Sequence, residues 1–189
     1  MQYLVADRSA IAGVADTARI IAQGEMIVFE GPWSFGAAIV ARVDAAAIAN
    51  IRAKGNGLNA YAVEAIAEPG VGEAFVVAAH CMRDAEGFRP YAEQVADIVR
   101  RFGGRFLARG NKVTGLGGDF VPDRAVIIEF PAATDAVAFY VSDLYAPLLK
   151  IRHATTDPRF VVVARAGALP TAARAPAENY LRARRDPSH

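Results

Sequence analysis

The segment Phe102-Gly-Gly-Arg-Phe-Leu-Ala-Arg109 decides the fold of this chain. It follows Pro90 to Phe102, where apolar residues recur at helical spacing, and its two glycines end that helix. The sequence predicts a strand from Arg105 to Arg109, and the apolar run Ala125 to Phe130 supplies a strand to pair with it. A glycine-rich turn over 115–118 is expected to join the two. The segment therefore marks a helix followed by an antiparallel strand pair.

The same succession of elements extends on both sides of this pair. The strand Ala74 to Ala79 precedes the helix, and the helical segments Ala133 to Tyr140 and Ser142 to Ile151 lead to the strand Phe160 to Ala164. The order β-α-β-β-α-β is also predicted in the first half. Its elements are strand Gln2–Ala6, helix Ser9–Gln23, strands Met26–Glu30 and Ala37–Val43, helix Ala45–Lys54, which Asp44 caps, and strand Asn59–Ala67. The chain is therefore predicted to be an α+β protein with two similar halves.

Composition and patterning divide the chain into two halves, 1–70 and 71–167, and an Arg/Pro/Ala-rich tail over 168–189 that is expected to form one short helix. The strand residues Val76-Val77 and Val161 to Val163 are apolar on both faces, so both faces of the sheet are expected to be buried. Face-to-face packing of two sheets would achieve this, either within one chain as a pseudo-dimer or between two chains as a homodimer. The pseudo-dimer needs fewer assumptions because two halves are already present.

Composition excludes several classes of protein. The 189 residues are 53% hydrophobic and 22% charged, which is typical of a folded protein with a core. The net charge of +1 gives no electrostatic basis for binding nucleic acid or an anionic membrane. No apolar run approaches the roughly 20 residues that span a bilayer, and the first residues do not read as a signal peptide. A single cysteine, Cys81, fits a cytoplasmic location.

The second half carries several motifs that occur together in a known family. They are Tyr91 in the first helix, Phe102-Gly-Gly-Arg105, Arg109-Gly110, Glu129-Phe130-Pro131, and Tyr145 and Arg152 in the second helical region. With these motifs in this order, the segment from about 73 to 167 resembles the DUF1330 family. The resemblance implies a ferredoxin-like fold of the dimeric α/β-barrel superfamily, and hence tandem ferredoxin-like repeats in this chain. That superfamily includes cofactor-independent monooxygenases, muconolactone isomerases, polyketide cyclases and haem enzymes, but DUF1330 itself implies no particular activity.

The first half looks like a diverged copy related to the YciI-like branch of the same superfamily. The matching residues are Gly31-Pro32 followed by Ala37 to Asp44. That branch commonly carries a His-Asp pair proposed for catalysis, and this half contains no histidine. The first half is therefore expected to be scaffold, and the second half to hold any site.

Three charged residues in the central strand pair are candidates for this site. Alternation along a strand places Arg105 and Arg109 on one face, where they can clamp a carboxylate, an enolate or a phosphate. Glu129, at the end of an apolar strand, can act as a general base or pair with one of these arginines. The ion pair is the more common arrangement.

Four further residues complete the candidate set. Tyr145 and Arg152 are two helical turns apart, so on a continuous helix they share a face that suits an oxyanion or a carbonyl. His80 ends a strand and can act as a base near neutral pH, although a structural role is the more common one. The resemblance adds Tyr91 as a ligand-binding residue. No second ligand lies at metal spacing from His80, so no metal and no cofactor are expected.

Two functions remain open at this point. The first is a cofactor-independent isomerase, cyclase or monooxygenase acting on a small, partly apolar carbonyl or carboxylate compound. In it His80, Glu129 and Arg152 are catalytic, and Tyr91, Arg105, Arg109 and Tyr145 bind the ligand. The second is a non-catalytic small-molecule binder or an assembly protein.

Overall fold

The computed structural model describes residues 1–7, 18–33, 38–53, 59–118 and 120–185. Nine strands lie in these residues: β1 (Gln2–Asp7), β2 (Arg19–Ala22), β3 (Met26–Glu30), β4 (Ala38–Val43), β5 (Ala60–Ala65), β6 (Ala74–Met82), β7 (Arg105–Gly117), β8 (Arg124–Phe130) and β9 (Thr156–Ala164). Five helices accompany them: α1 (Ala45–Ala53), α2 (Arg89–Arg101), α3 (Ala133–Val141), α4 (Ala146–Thr155) and α5 (Thr171–Arg185). The protein is therefore of the predicted α+β class.

The strands form one curled antiparallel sheet. Their order is β2-β4-β1-β5-β7-β8-β6-β9-β3. The strands at its two ends, β2 and β3, are consecutive in the chain and separated only by Gln23, Gly24 and Glu25. The backbone N–H groups of these three residues donate to carbonyls at and just beyond the end of β9. The sheet must curl because a single short segment touches both of its ends.

Curling gives the sheet an inner and an outer face. The inner face encloses one apolar cluster to which strands on both sides of residue 70 contribute, including Tyr3, Tyr61, Phe75, Val77 and Val161. Helix α1 covers the outer face near β1 and β4, and α2 to α5 cover it near β3, β6, β8 and β9. Both faces of β6 and β9 are buried, as the sequence predicts.

The Gly-Gly pair after α2 sets the close contact between that helix and the sheet. Gly103 has a φ of +73°, a conformation that glycine adopts without strain and that commonly ends a helix. A Cβ on Gly104 would lie 2.7 Å from both the Phe130 ring and the Val99 side chain. The segment that decides the fold therefore needs glycine for its turn and for its packing.

Several elements differ from the sequence-based expectations. Residues 9–17 of the predicted first helix lie outside the described residues, and Arg19–Ala22 is a strand that pairs with β4. β3 pairs with β9 rather than with β4. β7 continues to Gly117 through the predicted turn, because its second part pairs with β5. The tail helix is longer than expected and packs against α3.

Candidate functional site

The side chain of Arg152 is the centre of a buried polar cluster. It is 0% exposed, and its Nη2 donates to Glu30 Oε2 at 2.5 Å. Its Cζ lies 5.0 Å from the centre of the Phe160 ring and 5.6 Å from that of Tyr145. Burial alone would lower the pKa of Arg152, but Tyr145 and the Glu30 carboxylate raise it, so the group stays a cation. Among the described residues, its Nε and Nη1 have no hydrogen-bond partner.

Glu30 supplies the negative charge of this cluster and comes from the first half of the chain. Its Oε1 accepts hydrogen bonds from the Tyr140 hydroxyl and from His153 Nε2, the latter at 2.5 Å. Burial opposes ionisation, yet these bonds and the Arg152 charge lower the pKa of Glu30 to about 2. The first half, which is expected to be scaffold, therefore contributes a charged residue to the cluster around Arg152.

A bulge in β3 turns Glu30 toward the helices. Val28 pairs with Val161, whose side chain lies in the inner cluster, but Glu30 pairs with Phe160, which faces the helices. Simple alternation would put Val28 and Glu30 on the same face. The register shift between them moves Glu30 to the outer face.

Two tyrosines complete the wall beside Arg152. The Tyr91 and Tyr145 hydroxyls lie 3.0 Å apart and share a hydrogen bond. Burial raises the pKa of Tyr145 well above its ordinary value, so this phenol stays protonated. The Arg152 guanidinium lies 6.0 Å from the centre of the Tyr91 ring. The structure therefore brings together the predicted residues Tyr91, Tyr145 and Arg152.

His80 lies on the outer face of β6 and is 1% exposed. Its Nδ1 has no hydrogen-bond partner in the part of the chain that the structure describes. Burial lowers the pKa of His80 well below its ordinary value, and the charges of Arg152 and Arg124 lower it further, so the imidazole is neutral. The centre of its ring lies 5.9 Å from the centre of the Phe88 ring, which lies 4.8 Å from the centre of the Tyr91 ring. We call Glu30, His80, Tyr91, Tyr145 and Arg152 the Arg152 site.

Arg105 and Arg109 do not share a face, so the predicted clamp is wrong. The register between β7 and β8 shifts between Phe106 and Ala108. This bulge breaks the alternation of side chains, because the extra residue reverses the faces that follow it. Arg105 pairs with Glu129 on the inner face, whereas Arg109 lies on the outer face and donates to the carbonyl of Ala92 in α2.

Glu129 is held in an ion-pair network away from His80. Arg105 Nε donates to its carboxylate at 2.7 Å, and Arg165 Nη2 donates at 3.1 Å. The backbone N–H groups of Gly70 and Gly72 also donate to it, at 2.9 and 3.1 Å. The structure thus assigns Glu129 the ion-pair alternative, and it does not place Glu129 with Arg152 in one site.

A surface cleft of about 510 Å³ is lined by one residue of the Arg152 site, Glu30, and by its neighbour His153. Arg184 of α5 also lines this cleft. The helix α5 also packs Tyr180 against Phe29 and Tyr140, with ring centres 6.4 and 5.6 Å apart. The tail therefore covers the outer face beside this cleft.

Sequence reasoning missed Glu30 and Tyr140. Glu30 had one usable signal, a carboxylate at the end of an apolar strand before Gly31-Pro32. Its partner Arg152 is 122 residues away, and periodicity does not report so distant a contact. Among the described residues, no group of His, Cys, Asp and Glu is arranged to hold a metal ion. None of the described helices is long and apolar enough to cross a bilayer.

Comparison with known proteins supports the resemblance of the second half. The sequence model of the family described as Domain of unknown function (DUF1330) matches residues 73–166, which confirms the predicted match. No curated protein sequence matches this chain.

Among solved structures, a protein of unknown function from Rhodopseudomonas palustris is similar at 19% identity and a TM-score of 0.43, covering 64% of this chain and 92% of its own. A protein described as a major regulator of staphylococcal pathogenesis is similar at 8% identity and a TM-score of 0.42. The match covers 86% of this chain and 96% of that protein.

Proposed function

We propose that this protein binds a small, partly apolar carbonyl or carboxylate compound at the Arg152 site. The observation that carries the proposal is that two donors of a guanidinium that is 0% exposed, Nε and Nη1, have no partner among the residues that the structure describes. A buried cation is stable only when a counter-charge and hydrogen bonds replace its water. Glu30 supplies the counter-charge through one nitrogen, which leaves the other donors for a ligand oxygen.

The surroundings of Arg152 define the chemistry of this compound. Phe160, Tyr145 and Tyr91 place aromatic rings around the guanidinium, so a ligand between them contacts apolar surface on most sides. Planar guanidinium donors match the geometry of a carboxylate or a carbonyl oxygen. Because the Arg152–Glu30 pair is neutral overall, the site does not require a highly charged ligand.

A cofactor-independent proton transfer in the same site is the second candidate function, and His80 is the observation that favours it. Its imidazole is neutral and its Nδ1 is unpartnered. In an isomerisation His80 removes a proton from the carbon next to a carbonyl, Arg152 stabilises the enolate oxygen, and the proton returns at another carbon. Glu129 takes no part in this step because the two guanidiniums of its network hold it on the inner face.

We also propose that the two halves, 1–70 and 71–167, are diverged ferredoxin-like repeats forming one pseudo-dimeric α/β barrel. The strand order β7-β8-β6-β9 gives the second, third, first and fourth strand of the second half, and β2-β4-β1-β5 gives the same order in the first half when β3, which pairs with β9, is left out. Pairing between β5 and β7 and between β9 and β3 joins the halves at both edges. In this arrangement the first half contributes Glu30 to the site of the second.

Ligand binding can be tested with a variant that removes both buried charges. The Glu30→Gln/Arg152→Met double variant leaves no unpaired charge, and Arg100→Met on the exposed face of α2 is the matched control. The assay is the shift in melting temperature with a panel of small aliphatic and aromatic carboxylates and 2-oxo acids, followed by calorimetric titration. A compound that binds the folded state raises the melting temperature. We expect the same compounds to raise the melting temperature of wild type and of the control, and none of them to raise that of the double variant. Equal binding by the double variant, or no binding by wild type, contradicts the proposal.

A further inference from the structure

A row of basic side chains crosses the outer face of the sheet beside the Arg152 site. His80 of β6 pairs directly with Arg124 of β8. Arg109 of β7 pairs with Val126, two residues along β8 from Arg124. Residues directly opposite or diagonal on adjacent strands are near neighbours on one face. His80, Arg124 and Arg109 therefore lie next to one another under α2.

The two arginines of this row have no counter-charge among the described residues. Within the described part of the chain neither one is in a salt bridge, whereas Arg105, Arg165 and Arg174 each pair with a carboxylate. Arg109 donates to a neutral backbone carbonyl of α2. Burial and then the charge of Arg109 lower the pKa of Arg124. Two adjacent, half-buried cations repel each other unless an anion lies between or above them.

The row is continuous with the Arg152 site through an aromatic bridge. The Arg124 guanidinium lies 5.5 Å from the centre of the Phe88 ring, and Phe88 is 4.8 Å from Tyr91. Tyr91 in turn lies 6.0 Å from the Arg152 guanidinium. His80 belongs to both regions, because it is part of the Arg152 site and pairs directly with Arg124. The two basic regions are therefore joined by the aromatic side chains of Phe88 and Tyr91.

We propose that Arg109 and Arg124 bind a second acidic group of the ligand, so that the natural ligand is a small diacid with an apolar middle. This inference rests on the proposed binding at Arg152. One carboxylate or carbonyl faces Arg152, the apolar middle contacts Phe88 and Tyr91, and the far carboxylate neutralises the arginine pair. A charge-assisted contact of this kind raises affinity roughly tenfold or more.

The test compares diacids with monoacids of the same length. The probes are the unbranched diacids from succinate to suberate, each paired with its monoacid, measured by calorimetric titration on the full chain. Wild type is expected to bind at least one diacid roughly tenfold or more tightly than its partner monoacid. Arg124→Gln is expected to remove that advantage and leave monoacid binding unchanged. Arg109→Gln provides an independent variant, and Arg100→Gln is the control.

The outcomes separate this inference from the proposed function. Equal binding of monoacids and diacids by wild type contradicts the proposal of a second acidic group. So does a diacid preference that both Arg124→Gln and Arg109→Gln keep. In either case binding at Arg152 stands. If wild type binds neither class, both proposals fail. Circular dichroism verifies that the variants fold, which we expect because Arg124 and Arg109 are only half-buried.

Discussion

Replacing Glu30 with glutamine should destabilise the protein far more than replacing an exposed carboxylate with its amide. The side chain of Glu30 is 8% exposed and that of its partner Arg152 is 0% exposed. Glu30→Gln keeps the shape but leaves the guanidinium buried without a counter-charge. Removing one partner of a buried pair costs about 3–5 kcal/mol. Since domains are stable by only about 5–15 kcal/mol, much of the free energy of unfolding would be lost.

The pKa of Glu30 gives a second, independent magnitude. It falls from its ordinary value of 4.5 to about 2 on folding, which corresponds to about 3 kcal/mol in favour of the folded state above pH 4.5. Because the pKa is lowered by folding, this stabilisation is present above pH 4.5 and is lost as the pH falls toward 2. The wild-type protein should therefore lose stability over that range, and Glu30→Gln should lose less.

The assay is urea unfolding followed by circular dichroism for wild type, Glu30→Gln, Arg152→Met and the double variant. Both single variants should be strongly destabilised, and the double variant should be more stable than either, because it leaves no isolated charge. Asp97→Asn, which removes the exposed partner of Arg100, is the control and should change stability by less than about 1 kcal/mol. A loss below about 1 kcal/mol in Glu30→Gln, or strictly additive effects in the double variant, would refute the account of this pair.

Three further results are expected. Folding lowers the pKa of His80, so protons favour the unfolded chain and the wild-type protein loses stability as the pH falls below about 6.5. His80→Gln should lose less stability over this range, as measured by urea unfolding at several pH values. Parallel stability curves for wild type and His80→Gln would contradict this. Gly72→Ala should destabilise by roughly 1–3 kcal/mol in the same assay, because its Cβ would lie 2.5 Å from the Phe130 carbonyl oxygen; an unchanged midpoint would refute that packing. The chain should elute as a monomer in light-scattering chromatography, because both edges that a dimer would pair are occupied within it; a stable dimer would contradict the pseudo-dimer.

Local patterns in the sequence predict most of the second half of the fold and one helix of the first half. Helix α2 follows from the spacing of Tyr91, Val95 and Val99, which are all buried. The cap of α1 follows from Asp44, whose Oδ1 accepts the Ala47 N–H at 2.7 Å. These features depend on residues only a few positions apart, so periodicity and capping rules report them directly.

The candidate site is harder to predict because bulges decide which face its residues occupy. Alternation assigns Arg105 and Arg109 to one face, but the bulge in β7 separates them. The bulge in β3 moves Glu30 to the outer face in the same way. Neither bulge has a glycine or proline at its position to reveal it. The pairing of Glu30 with Arg152 also depends on how the two halves join, which no local pattern encodes.

The most direct measurement is a crystal structure of the protein purified without added ligand, examined for density against Arg152 Nε and Nη1. We expect a small organic molecule there, with an oxygen within hydrogen-bond distance of these nitrogens and its apolar part against Tyr91 and Phe88. A ligand-free site in which a protein carbonyl or ordered water satisfies both nitrogens would contradict binding at Arg152.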